Sequence, residues 1–210
     1  MPSLESRLLL VTDRQQTKGR PLVSVLAQAL KAGRPSIQLR ERDLCAKELL
    51  ALADEIQQLT GPRGVQLVIN DRLDVALSLE GAGVHLRSNS LPVSVARRLI
   101  GPRRVLGASV HSVKEAVEAD AGGADYIVLG PIYDTPSKQR YGPPLGLSAL
   151  EGAARAVRVP IVGIGGVTAA RARDMRLAGA FGVAVVTAVL SADDVEVATR
   201  ALLDAVGSVS

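Results

Sequence analysis

Gln38 and Arg40 stand two residues apart in the run Ser36-Ile37-Gln38-Leu39-Arg40. On an extended strand both side chains leave the same face. Two such donors suit an anion, and an arginine fork matches phosphate oxygens. The alternative use of Arg40 is an ion pair with Glu41 or Asp71. Asn70-Asp71 offers hard oxygen atoms of the kind Mg²⁺ takes together with substrate phosphates. Asp74 is free to face its own helix or to pair with an arginine. Ile164-Gly165-Gly166-Val167-Thr168 leads into a helical pattern. Glycines there let backbone N–H groups approach a phosphate at a helix N-terminus; a plain tight turn is the other reading. Val186-Thr187 closes another apolar run and supplies a matching second half. Thr12, Asp13, Arg42, His85, Ser109, His111, Thr135, Ser137 and Lys138 are polar positions at or beyond further such ends. His85 and His111 lack the spacing of a zinc pair and read as neutral structural histidines. Cys45 has no activating partner in sequence and is expected in or near the core.

The elements that must position these residues alternate. Short apolar, β-branched runs occur at Leu8–Asp13, Ser36–Arg40, Val65–Asp71, Gly83–Leu86, Val105–Ser109, Tyr126–Gly130, Pro160–Gly166 and Gly182–Thr187. Between them, apolar residues recur at helical spacing over Leu22–Ala32, Ala46–Leu59, Val113–Ala121 and Thr168–Ala178. Helices are also expected over Leu91–Ile100, Ser148–Val157 and Asp193–Val206, with a short one over Arg72–Leu79. Strands alternating with helices imply a parallel sheet with right-handed crossovers. Eight such units predict an α/β fold, a single (β/α)8 TIM barrel spanning 1–210, with strands Leu8–Thr12 and Gly182–Val186 pairing to close it. An open doubly wound sheet is the runner-up. In a barrel the active site lies at the C-terminal strand ends, where the polar residues above collect. The connection Pro131–Gly146 is the one long loop.

Composition narrows the partners. The chain has 210 residues, with 47 % hydrophobic and 22 % charged residues, the balance of a soluble globular protein. One cysteine excludes an internal disulfide and cysteine-ligated metal clusters. Lys+Arg 25 against Asp+Glu 21 leaves +4, but aromatic residues are only 2 %, too few for base-stacking platforms. Nucleic acid is therefore not the expected partner. No targeting signal and no membrane-length apolar stretch stands out, so a cytoplasmic setting is expected. A homo-oligomer is compatible with the sequence.

Taken in order, Val11-Thr12-Asp13, Gln38-Leu39-Arg40-Glu41-Arg42, Ile69-Asn70-Asp71, Gly83-Val84-His85-Leu86, Ala124-Asp125-Tyr126, Gly130-Pro131-Ile132-Tyr133, Thr135-Pro136-Ser137-Lys138, Gly163-Ile164-Gly165-Gly166 and Gly182-Val183-Ala184-Val185 form an ordered series. The series resembles the thiamin phosphate synthase family, including its thiazole tautomerase-like branch, over roughly Leu8 to Leu203. The resemblance implies transfer of a hydroxymethylpyrimidine from its diphosphate to a thiazole phosphate, with release of diphosphate. It implies Gln38, Arg40, Asn70 and Lys138 at the diphosphate, with Arg42 where the family usually has lysine. Asp71 would hold Mg²⁺, and Ser109 would sit beside the pyrimidine and diphosphate. Arg40, Ser109 and Lys138 are the catalytic candidates. Thr135 and Ser137 would meet the thiazole, and Gly166, Val186 and Thr187 would cradle its phosphate. The resemblance implies that a pyrimidine cation remains when diphosphate leaves, and the loop from Pro131 to Gly146 would exclude water from it. Two departures stand out. The family's second Mg²⁺ carboxylate falls on Ser90, and Pro131 stands where tautomerases carry a histidine. Two other readings follow: a thiazole phosphate isomerase using His111 or His85, and a non-catalytic binder of thiazole phosphate. A barrel enzyme acting on another phosphorylated substrate is the last possibility.

Overall fold

The eight strands are β1 Leu8–Val11, β2 Ser36–Leu39, β3 Leu67–Asn70, β4 Gly83–Leu86, β5 Leu106–Val110, β6 Tyr126–Leu129, β7 Ile161–Ile164 and β8 Gly182–Val185. They come from a computed structural model that describes residues 3–135 and 143–207. All pair in parallel and in chain order, and β1 pairs with β8 through Leu8↔Val183 and Leu10↔Val185. The predicted barrel therefore closes through the expected strands.

Period-two alternation sorts each strand between two environments. Leu9, Val11, Tyr126, Val128, Val162 and Ala184 fill the barrel interior. Leu8, Leu10, Ile127, Leu129, Val183 and Val185 point outward under the helices. Those helices are α1 Leu22–Ala32, α2 Ala46–Thr60, α3 Leu73–Leu77, α4 Val93–Ile100, α5 Val113–Ala121, α6 Gly146–Ala156, α7 Ala169–Leu177, α8 Thr187–Leu190 and α9 Val195–Val206.

Side-chain caps set several helix starts. Thr168 accepts from Arg171 N–H before α7, and Ser112 accepts from Glu115 N–H before α5. Asp194 accepts from Val197 N–H at 2.9 Å, so α9 starts at Val195 and not at Asp193. The expected Arg72–Leu79 helix shrinks to α3, and the one-turn α8 was not foreseen. Cys45 corrects an expectation: it is exposed, not in the core. It precedes α2, where its backbone N–H donates to Glu48 Oε2 at 3.0 Å.

Candidate active site at the C-terminal mouth of the barrel

Strand β2 carries Gln38 into the barrel, 3 % exposed, and its Nε2 has no hydrogen-bond partner among the described residues. A buried amide N–H without an acceptor is costly, and such groups mark places where a ligand completes the bonding. Arg40 follows on the same face, just past the strand end, half-buried. Its backbone N–H donates to Thr12 Oγ1 at 2.9 Å, and Thr12 Oγ1 donates to Glu41 Oε1 at 2.7 Å. Glu41 also accepts from Arg14 N–H at 3.1 Å. Burial raises the Glu41 carboxyl above its ordinary range, while the bonds from Thr12 and Arg14 oppose that rise. Glu41 thus ties the loop after β1 to the loop after β2. The ion pair between Arg40 and Glu41 or Asp71 is not formed. Among the described residues no carboxylate lies in ion-pair range of Arg40 or Arg42. Both cations stay available to an anion.

Asn70 ends β3, nearly buried, and Asp71 follows with φ +62°. Aspartate tolerates this left-handed backbone better than most residues. The turn lets Asp71 N–H donate to His85 O at 2.8 Å and aims the carboxylate at the loop after β4. There it meets two partners that the sequence reading did not assign. Arg87 Nε donates to Asp71 Oδ2 at 2.6 Å, and the Ser90 hydroxyl donates to Oδ1. Glu41, Arg42, Asn70, Asp71 and Arg87 line a cavity of about 180 Å³. Asp74 pairs instead with Arg72, which holds its carboxyl below the usual range.

Strands β4 to β6 build the floor. His85 is buried, with Nδ1 2.9 Å from Tyr126 Oη and Nε2 2.8 Å from Ser109 Oγ. Burial pushes its pKa down to about 3, so the imidazole is neutral, as expected of a structural histidine. His111 is exposed and donates from Nδ1 to Gly130 O at 2.6 Å. Among the described residues no three acids, histidines or cysteines gather as a metal cage.

The loops after β7 and β8 lie side by side through Ile164↔Ala184. Gly166 has φ +62°, and a Cβ there would stand 2.6 Å from Asp134 O. Arg171 donates from Nη1 to Gly166 O at 2.7 Å and lies 4.6 Å from the Tyr133 ring centre. Val186 precedes α8 and Thr187 opens it, exposed. First-turn amides have no intrahelical acceptor. Thr135 lies near this edge, half-buried. Ser137 and Lys138 lie outside the described residues.

The structure therefore brings Gln38, Arg40, Arg42, Asn70, Asp71 and Ser109 to one arc of the mouth, on β2 to β5. Gly166, Val186 and Thr187 form the opposite arc, on β7 and β8. Sequence reasoning missed Arg87 and Tyr126. Tyr126 had a signal: it is an inward position on β6 at period two from Val128. A larger cavity, about 540 Å³, opens at the other end of β3 to β5 beside Glu5, Gln57 and Arg103, away from every residue of this arrangement.

Known proteins resemble this chain in sequence and in fold. The family model for thiamine monophosphate synthase matches residues 8–189. The chain is 45 % identical over 203 residues to a thiamine-phosphate synthase of Roseiflexus castenholzii, covering 97 % of this chain and 89 % of that one. It is 44 % identical to a thiamine-phosphate synthase of Moorella thermoacetica, covering 90 % of each chain. A thiamine phosphate pyrophosphorylase from Pyrococcus furiosus superposes with TM-score 0.87 at 34 % identity, covering 97 % of this chain and 96 % of that one. A 3-hexulose-6-phosphate synthase shares the fold alone, at TM-score 0.73 and 17 % identity. With the family model spanning most of the barrel, the chain belongs to the thiamine monophosphate synthase family.

Proposed function

We propose that the chain joins a hydroxymethylpyrimidine diphosphate to a thiazole phosphate, releasing diphosphate. The observation that carries the reading is the buried Gln38 amide, unpartnered among the described residues, on the strand whose end and following loop carry Arg40 and Arg42, two arginines that no described carboxylate neutralises. That arc is a cationic cradle for an anionic leaving group.

Gln38, Arg40, Arg42 and Asn70 hold the diphosphate, with Lys138 joining them by resemblance. As the carbon–oxygen bond to diphosphate breaks, negative charge grows on the bridging oxygen. Fixed donors aimed there lower the barrier more than they stabilise the ground state. Ser109 adds a hydroxyl between pyrimidine and diphosphate. The amides of Gly166, Val186 and Thr187 hold the thiazole phosphate on the far arc, with Thr135 at its ring and Ser137 assigned there by resemblance alone. The thiazole nitrogen is thereby placed to attack the pyrimidine carbon, which removes an entropic cost.

Asp71 and Ser90 are oxygen donors of the hardness Mg²⁺ prefers, and one carboxylate with diphosphate oxygens and water is an ordinary Mg²⁺ shell. The donor set fits, with Asp71 as the anionic ligand. When bound, the ion supplies charge neutralisation for the leaving diphosphate.

The isomerase alternative loses one of its two candidate bases, since both nitrogens of His85 are engaged in the barrel floor. The curated relatives named here are synthases, which supports the transferase reading. Among the described residues no helix is long and apolar enough to cross a membrane. The reading carries small-molecule partners, a cytoplasmic setting and one barrel domain over residues 1–210.

The test is diphosphate release with both substrates present. Wild type releases it only when both are supplied with Mg²⁺, and Arg40→Ala lowers kcat at least tenfold. Isomerisation of the thiazole alone, without metal, would overturn the reading.

A further inference from the structure

The register sets four residues in one row across neighbouring strands: Asn70↔His85, His85↔Gly107 and Gly107↔Tyr126. Gly107 leaves a gap in that row. A Cβ on it would stand 2.2 Å from the Tyr126 ring. Through the gap the Tyr126 phenol crosses β5 and reaches His85 on β4, the ring centres 5.5 Å apart. Ser109 lies two residues further along β5, towards the mouth. The chain of contacts Tyr126–His85–Ser109 thus climbs from the floor to the site.

Its proton order follows from counting donors. Neutral imidazole has one N–H and one lone pair. The Tyr126 hydroxyl is buried, and His85 Nδ1 is its hydrogen-bond partner among the described residues. A buried O–H without an acceptor is unfavourable, so Tyr126 donates to Nδ1. Nε2 then carries the proton and donates to Ser109 Oγ. The Ser109 proton is thereby left to point towards the mouth. In the opposite tautomer Ser109 would spend its proton on Nε2 and offer substrate only lone pairs, which repel a phosphate oxygen.

We infer that Tyr126 and His85 are positioning residues that lock Ser109 as a hydrogen-bond donor to the anionic leaving group, with Gly107 providing the passage. The inference rests on Ser109 facing the diphosphate, as proposed above. Neither Tyr126 nor His85 touches substrate; each acts through the residue above it.

The test uses the full chain with ¹⁵N-labelled histidine. There are only two histidines, and His111→Gln assigns the spectrum. Wild type is expected to show His85 protonated on Nε2 and bare on Nδ1. Tyr126→Phe removes the donor while keeping the ring. It is expected to shift Nδ1, mix the tautomers and lower kcat about tenfold, the effect of one hydrogen bond to a charged group. Both KM values should stay within about twofold. Ser109→Ala should lower kcat at least as much, and adding Tyr126→Phe to it should cost nothing more. Nδ1–H in wild type overturns the inference, and that spectrum decides even if the variant does not fold. An unchanged kcat in Tyr126→Phe, or additive losses in the double variant, also overturns it. Full activity in Ser109→Ala would instead remove the Ser109 assignment itself, and the relay with it.

Discussion

Arg87 Nε donates to Asp71 Oδ2 at 2.6 Å, joining the loop after β4 to the loop after β3. The same Arg87 gives its backbone N–H to Ser90 Oγ at 2.9 Å, and the Ser90 hydroxyl takes the other Asp71 oxygen. The one carboxylate proposed for the metal is therefore engaged on both oxygens by its neighbour loop. On the proposed reading, a guanidinium and a divalent cation would compete for it.

Removing Arg87 should favour the cation. The pair is partly exposed, 41 % and 20 % at the side chains, so its contribution to folding is below about 1 kcal/mol. Arg87→Ala should therefore leave the melting temperature within a few degrees. It should tighten Mn²⁺ binding, measured by titration with diphosphate present, about fivefold or more. Weaker or unchanged Mn²⁺ binding would show that Arg87 does not compete for Asp71.

Ser90→Asp tests the same cluster from the other side. A second carboxylate raises the charge available to a hard cation. Half-saturating Mg²⁺ for diphosphate release should fall, by about tenfold. Asp71→Ala removes the remaining carboxylate and should cut kcat by about a hundredfold. Activity in Asp71→Ala equal to wild type would remove Asp71 from the reaction.

The barrel was legible because period-two alternation and helical spacing follow from burial on each side of a closed sheet. The inward Gln38 and Arg40 were legible for the same reason. What was not legible depends on contacts distant in sequence. Glu41 reads as a partner for Arg40, yet its oxygens go to Thr12 and Arg14, which only the adjacent β1 loop can bring there. Arg87 reads as one more surface arginine until the left-handed turn at Asp71 aims a carboxylate at it. Cys45 was misplaced because its type, not its position before α2, guided the expectation. Tyr126 joins His85 only because Gly107 on the strand between them has no side chain.

His85 sets an acid limit on the fold. Its folded pKa lies near 3, against 6.5 for the free side chain. Below pH 6.5 the unfolded chain binds a proton that the folded one refuses. Stability is thus fully present above that pH and falls as pH drops towards 3, by about 1 kcal/mol per unit. Glu41, raised above 4.5 by burial, acts in the opposite sense near its own range. Urea unfolding from pH 7 to pH 4.5 should show the decline, and His85→Gln, though less stable, should flatten it. An equal slope in that variant would assign the acid sensitivity elsewhere.

Gly166 tests the far arc. Its φ of +62° is a conformation that side chains resist, and a Cβ would press on Asp134 O at 2.6 Å and Tyr133 Cβ at 2.9 Å. Gly166→Ala should destabilise the protein by roughly 1–2 kcal/mol and weaken phosphate binding modestly through the shifted loop. Gly166→Asp carries the same backbone cost and adds a negative charge beside the amides of Val186 and Thr187. If those amides hold the thiazole phosphate, the aspartate variant should bind it at least tenfold more weakly than the alanine variant. Calorimetric titration of both, at a temperature where circular dichroism shows each folded, separates charge from strain. Equal affinities for the two variants would place the phosphate away from Gly166 and leave the loop after β7 as a structural turn.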